Sequence, residues 1–169
     1  MSRPLYVTRP MLPDLGDLDP LMKKIWHSQF VTNGGPFHTE LETALTDTLG
    51  VPTVMLFNNG TIALLAALRL FDLPPGSEVI TTPLTFAATA HSVHWNGLQP
   101  VFVDVSPDTL TIAPDSVVKA ITPRTSAILD VHVYGTVCDV AALRQIADQH
   151  GRRIAQRQAG SARRSAQRP

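Results

Sequence analysis

The feature that most narrows what this chain can fold into is an alternation. Short β-branched runs are each followed by about ten residues whose apolar side chains recur at helical spacing. The runs lie at 54–57, 78–81, 100–105 and 127–133, and the helical stretches at 37–49, 61–71, 86–95, 114–121 and 139–150. Short apolar runs suit strands covered on both faces, and strand–helix alternation builds a parallel sheet. The expected fold is an α/β domain with a mainly parallel sheet and flanking helices.

Local signals sharpen the pattern. Phe37, Leu41, Ala44, Leu45 and Leu49 form one helical stripe, with Glu40 and Glu42 near its positive end and Gly50 as its stop. Pro114 sits where a first helical turn tolerates it. The segment before Phe37 is rich in Pro, Asp and Gly, with a short helix expected at 22–26 and a loop at 32–36. The expected organisation is an N-terminal segment at 1–36, a domain at 37–151 and a basic tail at 152–169.

A chain of 169 residues is long enough for one domain with a core, and no apolar run nears the roughly 18 residues of a membrane span. The first ten residues lack the basic-then-apolar order of a signal peptide, so the chain reads as cytoplasmic. Cys138 is the only cysteine, which excludes an internal disulfide and a multi-cysteine zinc site; it reads as a small buried apolar residue. His91 and His94 have the spacing of a metal-binding pair but lack a third ligand, so no metal is expected. All 14 acids precede residue 149, whereas six arginines and no acid follow Gly151. A basic tail can bind nucleic acid, but 152–169 offers no aromatic to stack on a base and no motif, so nucleic acid is not an expected partner. Its repeated Ala, Gln, Arg and Ser are unlike what precedes them. The expectation is that the natural protein continues differently after about Gly151, as a frameshift or truncation would produce, and that this tail is disordered.

The most informative stretch is Asn58-Asn-Gly-Thr61, where a strand candidate gives way to a long helix. Free amides at such a helix start make an anion seat, Gly60 removes a Cβ from the path of approach, and Thr61 adds a hydroxyl. On residues alone this stays open between an anion site and a plain strand-to-helix turn. A hairpin is disfavoured because residues 62–68 read as helix. Phe86, read alone, is ordinary core. His132 and Tyr134 follow a strand toward the sheet's C-terminal edge, where they either line a ligand or fasten the strand end.

Several separated motifs in one order carry a resemblance. They are Thr32-Asn-Gly-Gly-Pro36, Asn58-Asn-Gly-Thr61, Thr82-Pro-Leu-Thr-Phe86, Pro100-Val-Phe-Val-Asp104, Ile121-Thr-Pro-Arg-Thr125 and Val131-His-Val-Tyr-Gly135. Over about residues 5–151 the chain resembles the DegT/StrS-type pyridoxal-phosphate sugar aminotransferases. The resemblance implies an aspartate-aminotransferase-like fold of type I, present as an incomplete large domain, in an enzyme that is usually a homodimer. It implies that Asn59, Gly60 and Thr61 hold the cofactor phosphate, Asn59 standing where many relatives have Ser, and that Phe86 lies against the pyridine ring. Asp104 and Arg124 recur in the pattern and read as structural.

Transamination also needs a lysine to bond the cofactor aldehyde and an acid to keep the pyridine nitrogen protonated. In the family the acid belongs to an Asp-Ala-Ala-type motif directly after the strand that should follow Gly151, and the lysine lies beyond it. The lysines here are Lys23, Lys24 and Lys119, all upstream, so no catalytic residue is expected in this chain. The function implied is transfer of an amino group, typically from glutamate, to a keto-deoxysugar nucleotide, most like members that aminate carbon 4. Rival readings are a dehydratase on the same scaffold, a non-catalytic phosphate-binding or regulatory fragment, and an α/β enzyme of another family.

Overall fold

A computed structural model describes residues 12–159. These fall into two compact units that part between Leu56 and Phe57, later in the chain than the expected division at 36/37.

The first unit holds α1 (Leu15–Ser28) and α2 (Pro36–Leu49). Asp14 caps α1 by accepting from the Gly16 amide at 2.7 Å, and the helix is far longer than the short 22–26 piece expected. In α2, Pro36 takes the first helical position and Gly50 ends the helix at φ +63°, a left-handed conformation that glycine adopts without strain. Glu42 then accepts from the Leu56 amide at 3.2 Å, tying down the returning chain. Neither helix buries a residue, so the expected stripe is helical but Leu41 and Leu49 are exposed.

The second unit runs α3 (Gly60–Arg69), β1 (Glu78–Thr81), α4 (Ala88–Trp95), β2 (Gln99–Phe102), α5 (Pro114–Ala120), β3 (Thr125–Val133), α6 (Val140–Gln149) and β4 (Arg153–Ala159). All pairings are parallel, in the order β2-β1-β3-β4. Side chains alternate across the sheet, so two cores form. Leu64 and Leu68 of α3 and Val93 of α4 pack with Val79, Ala127 and Leu129. On the other core, Val117 of α5 and Leu143 and Ile146 of α6 pack with Ile80 and Ile128. Each fully buried Leu or Ile contributes about 1.5–3 kcal/mol, and the sheet is clamped from both sides.

Two expectations need correction. Residues 54–57 form no strand, because β-propensity yields a strand only where a neighbour supplies a ladder, and none does among the described residues. Conversely, the tail set aside as disordered begins with a strand. β4 pairs with β3 along seven residues, from Ala127 with Arg153 to Val133 with Ala159. The open edge of β3 offers backbone partners whatever the side chains are, and Gly151, at φ +62°, turns the chain back after α6. The rest of the expected tail, residues 160–169, lies outside the described residues, as does the N-terminal stretch before residue 12. Among the described residues no helix is long and apolar enough to cross a membrane.

Arg124 has a job in this frame. Glu78, at the buried start of β1, accepts from Thr122 Oγ1 at 2.5 Å and pairs with the Arg124 guanidinium at 2.6 Å. The Thr122 hydrogen bond first, and then Arg124, hold its carboxyl below the usual 4.5 despite the cost of burial. A depressed folded-state pKa stabilises above the unfolded value and is lost as pH falls through the folded one. Glu78→Gln should therefore lower the urea midpoint at neutral pH, and its midpoint should converge with wild type below about pH 4.5. Parallel curves across that range would contradict this.

Candidate functional site

The strand order creates a switch point between β1 and β3, since the chain passes from β1 to β2 on one side and then crosses to β3 on the other. In open parallel sheets ligands collect outside the C-terminal strand ends at such a point. Phe86 follows β1 directly, in the irregular stretch between Thr81 and Ala88, and its ring is 65% exposed. The loop is stiffened by its own side chains: Leu84 N donates to Thr82 Oγ1 at 3.2 Å, and the Thr85 and Thr89 hydroxyls meet at 2.7 Å.

Asn59 is the N-cap of α3, and its Oδ1 accepts from the Ile62 amide at 3.0 Å while its Nδ2 donates to Asn58 Oδ1 at 3.0 Å. Both ends of this side chain are thus used locally. The Ala63 amide is spent on Asn59 O, but the amides of Gly60 and Thr61 meet no acceptor among the described residues. Those two donors carry the positive end of the helix. Gly60 is exposed, Thr61 is half-buried, and a Cβ built at Gly60 would meet no protein atom within 4 Å. The space in front of this backbone is open to a ligand.

Gly60, Ala63, Leu64 and Ala67 line a cleft of about 290 Å³ whose other wall is Gln156 and Arg157 of β4. Arg157 also donates to Thr85 Oγ1 at 3.3 Å, and its guanidinium carbon lies 6.0 Å from the Phe86 ring centroid, at the outer limit of a cation–π contact. Arg157 therefore links the helix start to the aromatic, two features the sequence paired only through the resemblance. Burial lowers its pKa, but a guanidinium keeps its charge. Arg157 itself was missed with the tail. The signal was available, because α3, α4 and α5 are each followed by a strand and Gly151 ends the helix after them.

The remaining candidates gather elsewhere. His132 shares the face of Ile128 and Asp130, turned to the α5 and α6 core, and its Nδ1 accepts from the Cys138 amide at 3.3 Å. Tyr134 is 81% exposed, in a left-handed conformation at φ +49° just past the strand. His91 and His94 lie exposed on α4, His91 against Trp95 at 5.5 Å. Lys23 is paired with Asp19 in α1, Lys119 lies in the last turn of α5, and among the described residues no lysine or acid lines the cleft.

The start of α3 and the loop that carries Phe86 both meet Arg157 beside the C-terminal edge of a parallel α/β sheet, where such folds collect ligands. Comparison with known proteins narrows this. The sequence profile of the DegT/DnrJ/EryC1/StrS aminotransferase family matches residues 17–161, and the chain belongs to that family. The match runs past Gly151, where the resemblance was expected to stop, through the whole of β4. The dTDP-4-amino-4,6-dideoxy-D-glucose transaminase of Escherichia coli is 49% identical over 153 residues, 90% of this chain and 41% of that protein. Its counterpart in Shigella dysenteriae is 47% identical over 91% of the chain and 41% of its own length. Among solved structures, DesI in the presence of its TDP-sugar product superimposes with a TM-score of 0.79 at 39% identity, covering 92% of this chain and 39% of DesI. The Bacillus subtilis protein ntda with bound cofactor pmp gives 0.78 at 29% identity, covering 92% and 38%. The chain thus spans about two fifths of the length of these relatives, and its fold is that of the type I aminotransferases.

The family depends on pyridoxal phosphate. The described residues fit one end of that group and not the other. The free amides of Gly60 and Thr61 suit its phosphate and Phe86 its ring face. Directly after the strand that follows Gly151, where the resemblance places an acid, the sequence reads Gly160-Ser-Ala-Arg163, and β4 itself contains no acid either. The charge it turns toward Phe86 is positive, which opposes a protonated ring nitrogen. Asn59→Ala should cost about 1 kcal/mol of stability in urea titration through loss of the cap. An unchanged midpoint would mean the Asn59 hydrogen bond is not formed in solution.

Proposed function

We propose that this chain is the phosphate-seating part of a nucleotide-sugar aminotransferase, whose reaction moves an amino group from glutamate to carbon 4 of a keto-deoxysugar nucleotide. The sugar assignment rests on the E. coli and Shigella relatives, which are transaminases of a 4-amino-4,6-dideoxy sugar, and on DesI with its TDP-sugar. The observation that carries the reading is the pair of unclaimed amides at Gly60 and Thr61, across one cleft from Arg157 and, through it, Phe86.

Pyridoxal phosphate, when bound, supplies an electron sink for the substrate's breaking bonds. This chain's own residues bind and orient. Gly60 and Thr61 receive the phosphate dianion, which the helix dipole and the Arg157 cation both favour. Phe86 offers a flat apolar face to the ring. Asn59 acts through the cap, holding the two amides in place. No described residue is assigned a proton-transfer step, because no lysine and no acid reach the cleft. The same absence favours, for the isolated chain, a phosphate-binding fragment without turnover.

Pyridoxamine phosphate cannot bond covalently to surface lysines, so it isolates docking. Calorimetry on the 169-residue chain should show binding of pyridoxamine phosphate and at least roughly ten-fold weaker binding of pyridoxamine, the phosphate being worth more than one charge-assisted hydrogen bond. Equal affinity for both would sink the phosphate seat. Assayed with glutamate and a nucleotide-linked keto-sugar, the chain should give no amino-sugar, and reproducible transfer would refute its inactivity.

A further inference from the structure

β3 brings Asp130 and His132 to one face, and after the turn at Tyr134 and Gly135 the chain returns Cys138 to the same place. One ligating atom from each of these three residues lies within 4.8 Å of the other two. The cluster faces α5 and α6, on the opposite side of the sheet from the core that α3 and α4 build, and so is distinct from the cleft at Gly60.

Asp130 has no exposed surface, and neither of its carboxylate oxygens has a hydrogen-bond partner among the described residues. The Cys138 thiol and Gln156, its neighbour on β4, stand close enough to favour its charged form, but the thiol's hydrogen bond goes to Val131 O at 3.1 Å. Buried carboxylates are nearly always hydrogen-bonded, paired or metal-bound, because leaving one unpartnered costs several kcal/mol. Surrounding a vacant pair of oxygens with an imidazole and a thiol is a donor set of a particular kind. We propose that Asp130, His132 and Cys138 form a binding site for a zinc-like divalent cation.

The chemistry selects the ion. One carboxylate oxygen, one imidazole nitrogen and one sulfur match the ligands of borderline ions such as Zn²⁺, whereas Mg²⁺ and Ca²⁺ take oxygen alone. Bonds of about 2.0–2.3 Å around a tetrahedral centre put ligands about 3.3–3.8 Å apart, so the cluster needs only a modest contraction. Three protein ligands leave a fourth position for water. Through Nδ1, His132 exchanges a long 3.3 Å hydrogen bond from the Cys138 amide for the metal. Binding releases the thiol proton to solvent, along with the carboxyl proton where Asp130 carries one. Burial, and secondarily Asp130, push the free thiol up to about 11, which opposes a thiolate without a metal.

Because Cys138 is the only cysteine of the chain, a thiolate signal reports on this site alone. The reduced, chelator-stripped 169-residue chain is titrated with Co²⁺ and then Zn²⁺. The expected result is one Co²⁺ per chain, a sulfur-to-cobalt charge-transfer band with intense tetrahedral visible bands, and loss of both when Zn²⁺ is added. Asp130→Asn and His132→Ala should weaken Zn²⁺ by at least about ten-fold, since even residues that merely support a ligand cost that much. His91→Ala/His94→Ala on α4 should bind as wild type does. No charge-transfer band in excess Co²⁺, or equal affinity in Asp130→Asn and wild type, overturns the proposal. The wild-type band keeps the test decisive even where a variant does not fold.

Discussion

The second unit depends on the two ladders of β3. This strand pairs with β1 on one edge and β4 on the other, and is buried along almost its whole length. Its register decides what each face of the sheet presents. Ala127 and Leu129 fill one core and Ile128 the other, so Asp130 and His132 must follow Ile128 while Arg157 stays on the face of Ala155. A slip of one residue between β3 and β4 would turn Arg157 away from Thr85 and Phe86. The parallel direction matters equally, because it brings the C-terminal ends of β1, β3 and β4 to one edge of the sheet.

Much of this could be read from the residues. The helices near 37–49, 61–71, 114–121 and 139–150 follow from apolar spacing and end signals, and they are found within a few residues of those limits. The strands at 78–81 and 127–133 are short apolar runs covered on both faces, as their composition implies. What failed did so where tertiary pairing overrides propensity. Met55 and Phe57 lie in a run that looks like a strand and finds no ladder, whereas Arg153, Gln156 and Arg157 look like a solvated tail and are held by the free edge of β3.

The candidate sites divide in the same way. A turn chemistry and a motif order point at Gly60, Thr61 and Phe86 in the sequence, and their role as phosphate seat and ring face is the proposal made above. Arg157 was not legible, since a cation that closes a cleft leaves no trace in periodicity. Nor was the grouping of Asp130 with Cys138, which depends on a turn between residues eight apart returning to the strand's own face. Cys138 is buried as its residue type implies, but its neighbours are polar. On the proposed readings the sheet separates two chemistries: an anion seat on the α3 side and a cation site on the α6 side.

Amide chemical shifts test the central claim most directly, because they report on the two donors themselves. On addition of pyridoxamine phosphate to the ¹⁵N-labelled chain, the Gly60 and Thr61 amides should move downfield together and saturably, with the Phe86 ring protons shifting alongside. Movement confined to other residues, with Gly60 and Thr61 unchanged at saturation, would contradict the account.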